Sequence, residues 1–190
     1  MKLGLPADGP LIGMAGRLQR WKGMHLFIAA IARVRESRPD VRAVIVGGVH
    51  ETEPQYDAEL RAQVHTLGLD RAVTFAGFQP NVAEWMQAMD VFVHASDREP
   101  FGIVVVEAMA LGKPVVAGAD GGPAEIITDG ENGLLVPYGD TGSLAHAILR
   151  YLDDHAFATR VGAAARIRAA VFDDRSFAAN IIAALRESVS

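Results

Sequence analysis

Residues 91–117 read VFVHASDREPFGIVVVEAMALGKPVVA, and this stretch decides the fold. Residues 91–95 form a short β-branched and aromatic run that gives way to polar residues at its carboxyl end. Pro100 suits the first turn of a helix running to Leu111, and Gly112 supplies the stop. Residues 114–117 form a second apolar strand. Strand, helix and strand in such close succession predict parallel strands joined by a right-handed crossover.

The same alternation extends in both directions. Further strands are expected at 11–15, 42–46, 72–76 and 133–136. Most lack polar alternation, as in a parallel sheet covered on both faces. Met24, Phe27, Ile28 and Ile31 follow helical spacing, with Pro39 just beyond. A weaker helix is expected at 58–67 before Gly68, and Asn81 is placed to cap another at 82–89. Pro123 begins a short helix to about Thr128, and 144–152, 155–170 and 176–188 make a helical tail. The expected fold is α/β: a doubly wound, Rossmann-like parallel sheet of about six strands, with helices on both faces and a helical C-terminal tail. Ligands of such folds bind outside the carboxyl ends of the strands.

Composition narrows the function. The chain has 190 residues, 50% of them hydrophobic, which suits one compact domain. A formal charge of −5 argues against broad nucleic-acid binding. The absence of cysteine excludes disulfides, thiolate catalysis and cysteine-ligated metals, and fits a reducing cytoplasm. No apolar run reaches the roughly 18 residues of a membrane-spanning helix. The opening MKLGLPADGP has no apolar core and does not read as a signal peptide. The histidines show no HExxH spacing, and there is no GxSxG elbow.

The candidate site residues fall in the strand-to-helix loops. The first loop is GMAGRLQRWKG, residues 13–23. Gly16 allows close backbone approach to a ligand, Arg17 can grip phosphate in a fork, and Lys22 adds a point charge beside a helix start. The loop reads as a diphosphate cradle or as a glycine turn with two solvated cations. Glu107 lies inside an otherwise apolar helix and needs a partner: a ribose hydroxyl pair, or an internal cation such as Arg17 or Lys113. Glu99 precedes Pro100 and therefore sits in the loop at the mouth of that helix. The amides of Phe101, Gly102 and Ile103 form the expected first turn and can receive an anion. An ordinary solvated acid is the other reading of Glu99. Eight residues of helix span about 12 Å, whereas glycosidase acids lie roughly 5–9.5 Å apart. Glu99 and Glu107 thus suit two parts of one long ligand better than a hydrolytic pair.

Other features carry two readings each. The loop Phe75-Ala-Gly-Phe78-Gln79-Pro-Asn81 is a candidate to hold a base by backbone groups, or a strand end before a capped helix. Gly121 and Gly122 line the crevice or make a tight turn, and Glu125 approaches the ligand or simply favours a helix start. His94, Trp21 and Trp85 read as structural residues, and Asn132-Gly133 as a turn.

Taken in order, GRL, Lys22-Gly23, VIVGG, FAGF, EPFGIVVVEAMALGKPVV, GGPAEII and NGLLV resemble the carboxyl-terminal domain of glycosyltransferase family 4, the glycosyl transferases group 1, over residues 11–152. The central signature is a pair of glutamates separated by seven residues, matched by Glu99 and Glu107. The resemblance implies a GT-B fold of two Rossmann-like domains, of which residues 1–190 are the nucleotide-sugar-binding one and the N-terminal acceptor domain is missing. It implies that Arg17 and Lys22 bind the donor phosphates, that Glu107 holds the ribose hydroxyls, and that Glu99 faces the transferred sugar with the Phe101–Ile103 amides near it. Glu99, Arg17 and Lys22 are the expected catalytic residues. Transfer would retain the anomeric configuration, without a tightly bound cofactor or catalytic metal. The donor would be a UDP, GDP or ADP sugar, and the acceptor a sugar or lipid reached through the missing domain. The location expected is cytoplasmic, with the full-length enzyme peripheral at a membrane where docking occurs. A nucleotide-sugar epimerase or phosphorylase on the same architecture, or a non-catalytic nucleotide-binding module, stands as the alternative.

Overall fold

The computed structural model describes residue 3 and residues 9–172. Six parallel strands form one sheet: β1 Leu11–Ala15, β2 Arg42–Val46, β3 Val73–Gly77, β4 Val91–His94, β5 Val115–Gly118 and β6 Leu134–Val136. Their order across the sheet is β3-β2-β1-β4-β5-β6. Seven α-helices are present among the described residues: α1 Met24–Ser37, α2 Tyr56–Thr66, α3 Val82–Ala88, α4 Ile103–Ala110, α5 Gly122–Ile126, α6 Thr141–Asp153 and α7 His155–Ala169. This is the doubly wound, Rossmann-like architecture expected from the sequence.

Both faces of the sheet are covered. Side chains alternate along a strand, so β1 sends Ile12 and Met14 to one core and Leu11 and Ala15 to the other. The first core packs under α1, α2 and α6 through Phe27, Tyr56 and Ile148. The second packs under α3, α4 and α7 through Met86, Met109 and Ala165. With apolar neighbours on both sides, the strands need no polar face, which is why their sequences do not alternate.

Several boundaries differ from expectation. The helix expected from Pro100 starts only at Ile103. A lone parallel bridge pairs Glu99 with Gly121, and the Gly122 amide donates to the Glu99 carbonyl at 2.7 Å, holding this segment extended. Gly102 then turns into the helix with φ 95°, a left-handed conformation suited to glycine. Asn81 stands at the start of α3 without a side-chain capping bond. The caps the side chains do make are at Asp140, which accepts from the amides of Gly142 and Ser143, and at Asp154, which accepts from Phe157. With Asp140 as its cap, α6 starts at Thr141, three residues before the expected Leu144. α2 starts at Tyr56 rather than at residue 58, and α5 ends at Ile126 rather than near Thr128. The helix expected at 176–188 lies outside the described residues.

Gly122 is required by close approach. A Cβ there would meet the Phe101 carbonyl oxygen at 2.3 Å and its Cα at 2.4 Å. Gly122→Ala is expected to destabilise the fold by about 1–3 kcal/mol, because backbone must move to admit it. Urea unfolding checks this, and an unchanged midpoint would show that the two loops part freely.

Candidate active site

β1 and β4 are neighbours in the sheet, and the chain turns outward in opposite directions from them. Their carboxyl ends therefore flank a crevice, where ligands of this fold class bind. The loop after β1 and the loop after β4 meet there. The Asp97 amide donates to the Trp21 carbonyl at 2.7 Å and ties them together.

One part of the site is a cleft of about 640 Å³. Its walls include Gly16 and Arg17 after β1, Phe78 and Gln79 after β3, and Glu107 on α4. Five residues from three separate parts of the sequence thus share one cavity. Phe78 is 79% exposed, leaving its ring free. The Gln79 side chain donates to the Ala76 carbonyl at 2.7 Å and is thereby held within its own loop.

Glu107 departs from expectation in an informative way. α4 buries Val105, Ala108 and Met109, whereas Glu107 is exposed toward the cleft. An eight-residue helix has only one face on the core, so an apolar sequence does not bury every position. Neither internal cation meets it. The Arg17 guanidinium lies 3.3 Å from His50 Nε2, and Lys113 Nζ donates to the carbonyls of Gln87 and Met89 at 2.7 and 2.8 Å. Partial burial in the cleft wall raises the Glu107 pKa. A carboxylate on a cavity wall with no partner among the described residues can accept from a ligand's hydroxyls.

The second part of the site surrounds Glu99. Lys22 ends a 3-10 turn, Arg20–Lys22, just before α1. Its ammonium pairs with Glu99, and the two side chains are only 14% and 12% exposed. The same ammonium lies 4.0 Å from the centroid of the Trp21 ring, so Trp21 does more than pack. His94 Nε2 lies 3.3 Å from Glu99 Oε2. The hydrogen bond from His94, with those from Lys22, outweighs burial and holds the Glu99 carboxyl down to about 2.

Lys22, Glu99, Phe101, Gly102 and Ile103 are not on the wall of the cleft; they form a group around the start of α4. Because that helix starts late, Ile103 alone of the last three lies within its first turn, and Gly102 is its cap. Gly121 and Gly122 act by packing against the Glu99 segment, at the bridge and bond described above. Glu125 is exposed on α5 and lies outside the cleft. Trp85 is buried in the core, and Asn132 accepts from the Thr128 amide within a turn. Sequence reasoning missed His94 as a site residue. Its one signal was position: it ends β4, a strand bordering the crevice.

The model of the glycosyl transferases group 1 family matches residues 1–168. The chain belongs to that family. As a glycosyl transferases group 1 domain it is 38% identical over 164 residues to the lipopolysaccharide core biosynthesis glycosyltransferase LpsE of Rhizobium meliloti (strain 1021), covering 84% of this chain and 44% of that protein. It is 38% identical over 167 residues to a D-inositol 3-phosphate glycosyltransferase of Xylanimonas cellulosilytica, covering 87% of this chain and 39% of that one. The chain thus spans less than half the length of these curated relatives. Among solved structures, Anabaena Alr3699/HepE in complex with UDP superposes with a TM-score of 0.89 at 36% identity, covering 95% of this chain and 50% of that one. The C-terminal domain of the group 1 family protein LpcC from Francisella tularensis superposes with a TM-score of 0.79 at 30% identity, covering 85% of both chains. The chain corresponds to the carboxyl-terminal half of GT-B glycosyltransferases. Among the described residues, no helix is long and apolar enough to cross a membrane.

The Glu99 environment predicts a pH effect on this family member. Its folded pKa is lowered from 4.5 to about 2, so its stabilising contribution is present above pH 4.5 and is lost as pH falls toward 2. Urea unfolding between these limits should show a slope that Glu99→Gln reduces. Equal slopes in the two proteins would mean that the carboxylate is not held by its neighbours.

Proposed function

We propose that this chain is the donor-binding domain of a retaining glycosyltransferase, which moves a sugar from a nucleoside diphosphate sugar to an acceptor held by a second domain. The observation that carries the reading is the Glu107 carboxylate, which has no partner among the described residues, on the wall of a cleft shared with Arg17 and Phe78. A ribose offers a hydroxyl pair to such a carboxylate. Phosphates then fall toward the loop that runs from Arg17 to Lys22, and the sugar toward Glu99. Complexes of HepE with UDP and UDP-glucose support a nucleoside diphosphate sugar as ligand.

The residues divide the work by charge. The Lys22 ammonium has three hydrogens, so it can hold Glu99 and still donate to a phosphate. The Arg17 guanidinium is a forked donor for phosphate oxygens. As the bond from the anomeric carbon to the leaving oxygen breaks, negative charge grows on the diphosphate, where these two cations help most. In a retaining transfer the acceptor hydroxyl attacks from the face that the diphosphate leaves, and a phosphate oxygen takes its proton. Glu99 accepts from a hydroxyl of the transferred sugar and fixes its orientation.

Titration calorimetry of UDP, GDP and ADP into the chain tests this reading. Saturable binding with a preference for one base is expected. A folded chain that binds none of the three would overturn it. Release of free nucleotide from the matching nucleotide sugar without any acceptor would favour epimerase chemistry instead. The chain alone is expected to bind donor and transfer nothing, as its relatives are about twice as long.

A further inference from the structure

His94 is the last residue of β4 and is 1% exposed. Its strand lies between β1 and β5 in the sheet, and His94 itself is paired with Ala117 of β5. Nε2 lies 3.3 Å from Glu99 Oε2 and 3.2 Å from Ser96 Oγ. Nδ1 is buried and has no hydrogen-bond partner among the described residues. A buried polar atom without a partner is unusual enough to require a reason.

The neighbours select one arrangement. Glu99 is ionised and can only accept, so Nε2 carries the hydrogen. Ser96 Oγ then accepts from the same N–H and directs its own hydrogen to the Lys22 carbonyl, 3.5 Å away. Nε2 and Ser96 Oγ are thereby satisfied, and the buried Nδ1 keeps a bare lone pair. The opposite tautomer would leave a buried N–H unpaired and face a lone pair against the carboxylate, which is worse on both counts.

We propose that His94 is a positioning residue for Glu99: through its Nε2–H it pins Oε2 of that carboxylate and leaves Oε1 to accept from the donor sugar. The inference rests on the donor-site reading above and adds to it a residue that touches no ligand itself. Lys22 contacts the same oxygen, Oε2. Lys22, however, stands on a loop turn and must share its hydrogens with a phosphate, whereas His94 is fixed by the sheet. Among the described residues, Lys22 and His94 are the two titratable groups in contact with Glu99. When a diphosphate draws on Lys22, His94 is what keeps the carboxylate ionised and aimed.

Two substitutions separate positioning from packing. Gln places a nitrogen donor where Nε2 was; Asn places one only where Nδ1 was. In calorimetry with UDP and UDP-glucose, His94→Asn is expected to lower the UDP-glucose to UDP affinity ratio about tenfold. His94→Gln should keep most of the ratio, and both variants should bind UDP as the wild type does. In a carboxyl ¹³C titration, the Glu99 midpoint should rise by about one unit in His94→Asn and by less in His94→Gln. A folded His94→Asn with both the ratio and the midpoint unchanged would overturn the proposal. Should neither variant fold, the imidazole ¹⁵N spectrum of the wild type decides: hydrogen on Nε2 upholds it, and hydrogen on Nδ1 overturns it. If the wild type binds none of UDP, GDP and ADP, the donor-site reading fails, while the titration and the tautomer still decide whether His94 holds Glu99.

Discussion

Lys22→Ala is expected to lower kcat about 100- to 1000-fold in an enzyme that carries this chain together with its acceptor-binding half. That is the loss that follows when one preorganised group facing a developing negative charge is removed. The structure gives Lys22 the needed preorganisation. Its ammonium pairs with Glu99, lies over the Trp21 ring, and is only 14% exposed, so water does little to screen it. The substitution also strands Glu99 without its cation, at a cost to the fold of about 1–3 kcal/mol. The two effects are separable. Unfolding measures the second, and kcat measured well below the unfolding temperature isolates the first. Lys22→Arg restores the charge and should recover part of kcat. A stable Lys22→Ala enzyme with kcat within a few-fold of the wild type would remove Lys22 from the catalytic step.

Glu107→Ala is expected to raise the Kd of the preferred nucleoside diphosphate about 10- to 100-fold, the effect of losing hydrogen bonds to a charged group. The fold should be unaffected, since the Glu107 carboxylate is exposed on the cleft wall and neither Arg17 nor Lys113 is bound to it. Calorimetry and thermal unfolding on the same samples check both halves of the statement. A nucleotide lacking the 2′-hydroxyl refines it. If Glu107 binds ribose, the deoxy ligand and the substitution together should lose little more than either alone, because they remove the same contact. Full additivity would send Glu107 to another part of the ligand.

Both predictions depend on residues that the sequence had already singled out, and the reason is physical. Strand-to-helix loops carry the ligand groups of doubly wound folds, and the glycines, cations and acids of those loops stand out against apolar strands. The order of strands and helices was equally legible, because apolar runs and helical spacing repeat with clear punctuation. One point failed where a distant partner competes with local preference. Pro100 favours a helix start, yet the bridge from Glu99 to Gly121 and the bond from Gly122 delay it to Ile103. Asn81 is a good cap by type, yet its side chain makes no capping bond.

The sequence by itself determined the α/β class, the glycosyl transferases group 1 membership carried by its ordered motifs, and the identity of Arg17, Lys22, Glu99 and Glu107 as candidate residues. All of these are local patterns of residue type and spacing. Only the tertiary structure decided which of them meet. It placed Glu107 in the cleft with Arg17, Phe78 and Gln79 and left its carboxylate without a partner among the described residues. It joined Lys22 to Glu99 across 77 positions and set His94 beneath them. Those contacts arise because β1 and β4, far apart in the chain, lie side by side at the point where the sheet reverses its winding, and no local pattern encodes that adjacency.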